Sequence, residues 1–467
     1  MRTFPLFAAL LVAATALQAQ PAPSPVQQTA RAVFAELLGI NTDHDSGSTT
    51  VAAQAVARRL LTAGIPAADV QVLGPAGSRN HNLVARIHGT GARKPLLLLA
   101  HLDVVTARPG DWTLPPYQLT EKDGFLYGRG TSDIKDGAAI LVAAFIQLHK
   151  DGVVPDRDVI LALTAGEESS ADYSGIDWLL KNHRDLVDAE WCWNVDGGDP
   201  ELLHGARVAR TVQASEKVYA TFQFEATGAG GHSSLPTKDS PITRLAAALT
   251  RLAAYDFPVH LSEVTRGALA AAARHEPPAV AADLRQVTGA KPDAAAVRRL
   301  AARSPFYNAQ MRTTCVATQL EGGHAENALP QRAVAKVNCR ILPEEAAGDF
   351  VLRTLTRVVA DPSVKVTIAY APVPSPASPL HPEIMRPLAA VTAKFWPGVP
   401  LVPQMETGAT DGAILRNGGI PTYGMSPVFL DVDDTRAHGR DERIIAKEFD
   451  TGADYALAML KAFATRD

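Results

Sequence analysis

Two imidazoles and three carboxylates stand at positions where a chain delivers functional groups: His101, Asp133, Glu168, Asp196 and His438. His101 closes the apolar run Leu97-Leu-Leu-Ala-His101, and Asp103 follows two residues later, on the same side of an extended strand. A carboxylate beside a histidine fixes its tautomer when the histidine holds a metal. A hydrogen-bonded surface histidine at a strand end has the same appearance. Asp133 ends the loop Tyr127-Gly-Arg-Gly-Thr-Ser-Asp133, just ahead of an apolar helix, where a plain Asp N-cap is the simpler account. The loop lacks the G-x-x-x-x-G-K-[ST] order of a phosphate cradle. Gly166-Glu167-Glu168 sends two adjacent carboxylates off another buried run, which is costly unless a cation or a proton sits there. A third apolar run, 191–195, delivers Asp196 ahead of Gly197-Gly198, and His438 lies in the acidic stretch 433–442. Together these are nitrogen and oxygen donors suited to Zn²⁺, with Mn²⁺ or Co²⁺ possible, and ill suited to thiolate-loving metals.

The elements that must carry these groups follow from the apolar pattern. Buried strands are predicted at 95–101, 158–164 and 191–195, alternating with helices at 137–150 and 174–183. Such alternation implies an α/β layer with a mainly parallel sheet, whose ligands gather at the strands' carboxyl ends. From about residue 214 the texture changes to half-exposed strands at 217–225, 312–318, 333–340 and 364–369, with helices at 241–255 and 344–359. This predicts a smaller α+β domain at 213–373 inserted into a catalytic domain built from 26–212 and 374–467. An Ala/Arg-rich stretch at 268–303 reads as a helical excursion within the insert, and the proline-rich 372–379 as the return linker.

Composition removes several alternatives. With 467 residues, 46% apolar and 20% charged, the chain is neither disordered nor a single small module. Lys+Arg 45 against Asp+Glu 49 gives a net charge of -4 and no electrostatic reason to bind nucleic acid. At the N-terminus, Arg2 precedes an apolar run from Pro5 to Leu17, followed by Ala19 and prolines at 21, 23 and 25. This pattern predicts a signal peptide at 1–19, cleaved near Ala19, with export to the periplasm or the extracellular space; an uncleaved N-terminal anchor is the alternative. No later run is long enough to insert stably into a membrane after processing. Of three cysteines, Cys315 and Cys339 fall in predicted strands of one domain and could pair, leaving Cys192 as a buried thiol.

Taken in order and spacing, these motifs resemble a known family: the co-catalytic zinc amidohydrolases and exopeptidases that include acetylornithine deacetylase, succinyl-diaminopimelate desuccinylase, aminoacylase, glutamate carboxypeptidase and carnosinase. The resemblance rests on His101-Leu-Asp103, Gly128-Arg-Gly-Thr-Ser-Asp133-Ile-Lys135, Gly166-Glu167-Glu168, Asp196, Gly231-His232-Ser-Ser-Leu-Pro236, Asn327 with Arg340, Thr407-Gly408-Ala-Thr-Asp411 and His438. It implies a zinc-exopeptidase catalytic domain, an inserted lid or dimerisation domain, and two Zn²⁺ per subunit. His101 and Asp196 would hold one ion, Glu168 and His438 the other, and Asp133 would bridge both. Asp103 would orient His101, and Glu167 would act as general base on a metal-bridging water and later protonate the leaving amine. His232 would stabilise the oxyanion from the lid, or from the partner subunit in a homodimer. Asn327, Arg340 and the loop at Gly408 would contact substrate, with the Arg340 fork receiving a free carboxylate.

The leading expectation is therefore an exported two-metal hydrolase cleaving an amide next to a free carboxylate, of dipeptidase or carboxypeptidase type. In this family Asp rather than Glu at the position of Asp196 leans toward peptides. An N-acyl-amino-acid amidohydrolase using the same site is the alternative. A non-catalytic metal- or peptide-binding protein is the third reading; it has no use for Glu167.

Overall fold

The computed structural model describes residues 22–169 and 173–465, so the expected signal peptide lies outside the described residues. Six-residue runs of Leu, Ile, Val and Ala form the centre of the large sheet. Leu96–His101 and Val159–Thr164 are buried at every position, and Trp191–Asn194 likewise. Strands buried on both faces need helices on both sides. Leu96, Leu98 and Ala100 pack with the Pro25–Leu38, Lys135–Lys150 and Ala446–Ala464 helices, while Leu97 and Leu99 pack on the opposite face with Ile176, Leu179 and Leu415.

The ten-stranded sheet is mixed, with a parallel heart. Val159–Thr164, Leu96–His101, Trp191–Asn194 and Thr422–Gly424 lie side by side and run the same way. Asn82–Ile87 on one side and Ala206–Glu216 on the other run antiparallel to this set. Register decides what reaches the carboxyl edge. His101 lies opposite Thr164 and Leu99 opposite Asn194. Asp196, two residues beyond Asn194, therefore draws level with His101, and Glu167 and Glu168 emerge just past Thr164.

The chain leaves this sheet at the end of Ala206–Glu216 and enters a second, antiparallel sheet, ordered Thr314–Gly322, Arg332–Ile341, Val218–Thr227, Val364–Tyr370. Alternate residues of Val218–Thr227 are buried beneath the Pro241–Ala253 and Phe350–Val359 helices. The α/β class with a smaller α+β domain is thus the observed architecture. Cys315 and Cys339 face each other across paired strands and form a disulfide, and Cys192 is a buried thiol.

The helical excursion differs from expectation. Four helices, Glu263–Ala272, Pro278–Thr288, Ala294–Arg303 and Pro305–Met311, form their own small core around Leu269, Leu284, Leu300 and Met311. They pack against the large sheet's outlying strand, Leu401–Glu406, where Gln310 Nε2 donates to the Met405 carbonyl at 2.9 Å and Gly267 sits against Pro403. That strand pairs only on one side, with Ala206–Glu216, and a sheet edge left open is covered by such a layer. The proline-rich return at 372–379 is likewise tied down, with Ser378 N donating to Ala214 O and Ser378 Oγ to Thr422 O.

Candidate active site

At the carboxyl edge of the parallel strands His101 is almost completely buried. Its Nδ1 lies 2.9 Å from the Asp103 carbonyl, an acceptor only, so Nδ1 carries a proton and Nε2 is the nitrogen that faces the site. The carboxylate of Asp103 stands further off, 3.8 Å from Nδ1. It accepts instead from the backbone amides of Gly166, Glu167 and Glu168, at 2.9, 3.4 and 2.9 Å. Asp103 therefore positions His101 through its main chain, while its side chain, expected to do that work, holds the loop carrying Glu167 and Glu168. Gly166 makes that loop possible: its φ of +78° turns the chain off the strand, and a Cβ there would lie 1.9 Å from the Tyr173 carbonyl.

Asp133 lies between the two imidazoles. His101 Nε2 is 3.2 Å from its Oδ1, and His438 Nε2 is 3.0 Å from its Oδ2. His438 Nε2 is also 3.0 Å from Glu168 Oε2. The potential ligand atoms of His101, Asp133 and Glu168 all lie within 4.8 Å of one another, as do those of His101, Glu167 and Asp196. All five predicted donors thus converge, with Glu167 among them.

The electrostatics fit a cation-binding role. Burial, reinforced by the charge of Asp196, pushes the Glu167 carboxyl well above the usual range, and burial with Asp133 and Asp411 does the same to Asp196. Burial lowers the basicity of His101, but Asp133, Glu167, Asp103 and Asp196 outweigh it and raise it overall. Hydrogen bonds that His438 donates to Asp133 and Glu168 push it up to about 10. A carboxylate cluster in which Glu167, Asp196, His101 and His438 are all pushed toward their protonated forms is short of positive charge, which divalent cations would supply.

Two residues not singled out beforehand organise the centre. Glu442 is fully buried and accepts from Gly130 N (3.1 Å), Ser132 N (2.7 Å), Asp133 N (3.1 Å) and Arg129 Nη1 (2.6 Å). Arg129 Nη2 in turn donates to the carbonyls of His438 and Gly439 at 3.3 and 2.9 Å. The pair ties the Asp133 loop to the His438 loop, where His438 has a φ of +62°, a conformation that needs such support. Arg129 lies inside the Gly128–Lys135 motif and Glu442 closes the acidic stretch 433–442; the signal available was a second acid in the same loop as a candidate ligand.

The cavity beside this cluster, of about 310 Å³, is lined by Ser132, Asp133, Asp196, Gly197 and Gly408 among others. Gly408 is held by its N–H to Glu406 Oε1 at 3.4 Å. The insert residues stand apart from this lining. Gly231–His232 pairs with Ala328–Leu329, bringing Asn327 O within 3.0 Å of Ser233 N, and His232 is exposed with Nδ1 accepting from Ser234 N. Arg340 is stacked on Tyr219 with its guanidinium carbon 4.9 Å from the ring centre.

Candidate metal ligands gathered at the carboxyl edge of a mainly parallel sheet, with an α+β domain inserted between the two halves, point to the class of metal-dependent peptidases and amidohydrolases. Comparison of sequences gives the family: the chain belongs to Peptidase family M20/M25/M40, matched over residues 97–462. The N-fatty-acyl-amino acid synthase/hydrolase PM20D1 of Homo sapiens is 29% identical over 377 residues, covering 79% of this chain and 74% of that protein. Among solved structures, the M20 family metallo-carboxypeptidase Sso-CP2 of Sulfolobus solfataricus superposes with a TM-score of 0.67 at 19% identity, over 93% of this chain and 99% of that one. Human carnosine dipeptidase 1 superposes with a TM-score of 0.59 at 17% identity, over 95% and 100%. At these identities the two structures establish the fold.

Proposed function

We propose that the protein is an exported two-metal hydrolase that cleaves an amide bond next to a free carboxylate, of dipeptidase or carboxypeptidase type. The observation that carries this reading is Asp133, whose two oxygens each meet a different imidazole, with the protonatable Glu167 beside them. His101, Asp196, Asp133, Glu168 and His438 would hold two Zn²⁺, with Co²⁺ or Mn²⁺ also compatible with the donors. When bound, such a pair acidifies a water and polarises the scissile carbonyl. Glu167, half-buried and held by the Asp103-anchored loop, takes the proton of the attacking water and returns it to the leaving amine. Gly408 borders the substrate, and His232, Asn327 and Arg340 contribute from the insert when the domains close, with His232 aiding the oxyanion. Export rests on the N-terminal 1–19 pattern; among the described residues no helix is long and apolar enough to cross a membrane. A homodimer formed through the insert fits the exposed Val316, Leu320 and Tyr370 on its sheet.

The test is Glu167→Gln in the zinc-loaded protein. Turnover of dipeptides falls by about 10²–10⁴-fold while bound metal is unchanged; undiminished turnover defeats the reading. The similarity to PM20D1 favours a second substrate class, N-acyl amino acids, hydrolysed by the same groups. Comparing kcat/KM on Ala-Xaa dipeptides with that on N-acyl amino acids separates the two.

A further inference from the structure

We propose that Arg436, on the catalytic domain, is the residue that receives the substrate's free carboxylate; this rests on the amide-hydrolase reading above. The cavity beside the donor cluster is lined by acids, Asp133, Asp196, Asp199, Glu406 and Asp434, and by two cations, Arg436 and Arg443. An anionic group entering such a cavity needs a positive charge aimed at it.

Arg443 is already committed. Its Nε and Nη2 reach Asp434 Oδ2 at 2.7 and 2.6 Å, its Nη1 donates to the Tyr127 hydroxyl at 2.8 Å, and its guanidinium carbon lies 3.8 Å from the centre of the Phe125 ring. Arg436 is not. Its Nε donates to the other oxygen of the same carboxylate, Asp434 Oδ1, at 2.6 Å, and Nη1 reaches the Asp441 carbonyl at a long 3.4 Å. Two guanidiniums thus share one carboxylate, so this trio carries one net positive charge within a wall that is otherwise acidic. A third of the Arg436 side chain remains exposed. Asp434 fixes the base of the fork, so its outer N–H groups are held in advance for a planar, bidentate acceptor, which a carboxylate is.

Position supports the same assignment. Arg436 lines the same cavity as the ligand candidates Asp133 and Asp196, and the carboxylate of an amino-acid product is only a few bonds from the cleaved nitrogen. Arg340, the arginine that the family resemblance suggests for this task, is stacked on Tyr219 and does not line the cavity.

The experiment compares Ala-Xaa dipeptides and N-acetyl amino acids with their C-terminally amidated counterparts, using the full-length zinc-loaded protein and its Arg436→Met, Arg436→Lys and Arg340→Met variants. Wild type prefers the free acids. Arg436→Met loses about 10–10²-fold in kcat/KM on the acids, through KM, with activity on the amides and metal content unchanged, and Arg436→Lys recovers part of the loss. An unchanged acid-to-amide ratio in Arg436→Met, or a ratio that collapses only in Arg340→Met, overturns the assignment. Calorimetric binding of free amino acids to the same proteins gives a readout that needs no turnover: about tenfold or more weaker binding to Arg436→Met is expected, and equal binding, or none to wild type, overturns it. Absence of hydrolysis by wild type of both the free-acid dipeptides and the N-acetyl amino acids defeats the parent reading instead.

Discussion

Replacing Glu442 by Gln tests whether the loops that carry Asp133 and His438 are held by one buried carboxylate. The side chains have the same shape, and the retained oxygen can still accept from Ser132 N and Asp133 N, now at 2.7 and 3.1 Å. The new amide group would face Arg129 Nη1 and Gly130 N, both donors, at positions now 2.6 and 3.1 Å from an oxygen. Each orphaned buried donor costs about 1–3 kcal/mol, and removing one member of a buried ion pair about 3–5 kcal/mol. Because Arg129 enters both figures they do not add, and the expected loss is about 3–5 kcal/mol. Burial raises the Glu442 carboxyl despite the backbone amides and Arg129 that favour its charged form, so the intact pair is only a modest net gain, whereas breaking it is costly. Two measurements apply. The urea midpoint of the metal-free protein reports the stability term, and competition with a chromophoric chelator reports zinc affinity, expected to weaken by about 10–100-fold as the ligand loops loosen. A cycle with Arg129→Met isolates the pair. If Glu442→Gln leaves both the urea midpoint and the zinc affinity at wild-type values, the clamp argument is wrong.

Other expectations follow from the same geometry. Gly166→Ala places a Cβ 1.9 Å from the Tyr173 carbonyl at a φ of +78°, so the loop holding Glu167 and Glu168 must shift; circular dichroism stays native while zinc affinity and turnover both drop sharply, and retained activity refutes the point. Removing the Cys315–Cys339 bridge, which closes a separation of 24 residues, lowers stability by about 3–4 kcal/mol on a chain-entropy estimate, checked by urea unfolding of the double Ser variant. Lys217, where the chain enters the insert, is buried with Nζ on the Arg312 carbonyl at 2.7 Å, and burial lowers it to about 7. The unfolded chain therefore binds more protons between about pH 7 and 10.5, so wild-type stability gains on Lys217→Met as pH rises through that window. A stability difference that does not vary from pH 6.5 to 9.5 contradicts this.

Much of the centre was legible in the residues because local physics marks it. His101 ends, and the Glu167–Glu168 pair and Asp196 follow, short apolar runs that read as strands buried on both faces, and such runs end where α/β sheets place their ligands. The task of the Asp103 side chain was not legible. Spacing put it beside His101, but its partners are amides of a loop that begins 63 residues away and arrives through strand pairing. Nor was the seat of the 263–311 helices, whose helical periodicity says that they bury a face but not which sheet edge receives it.

The sequence by itself determined the strand-and-helix alternation, the inserted second domain and the kinds of donor group, because burial, periodicity and ligand chemistry are properties of residues and their near neighbours. Tertiary structure alone decided that Asp196 comes level with His101, that Asp133 stands between two imidazoles contributed by distant segments, that Glu442 and Arg129 lock those segments together, and that Arg436 rather than Arg340 lines the cavity. These are matters of register and of contacts between segments remote in sequence, set by how the whole sheet packs.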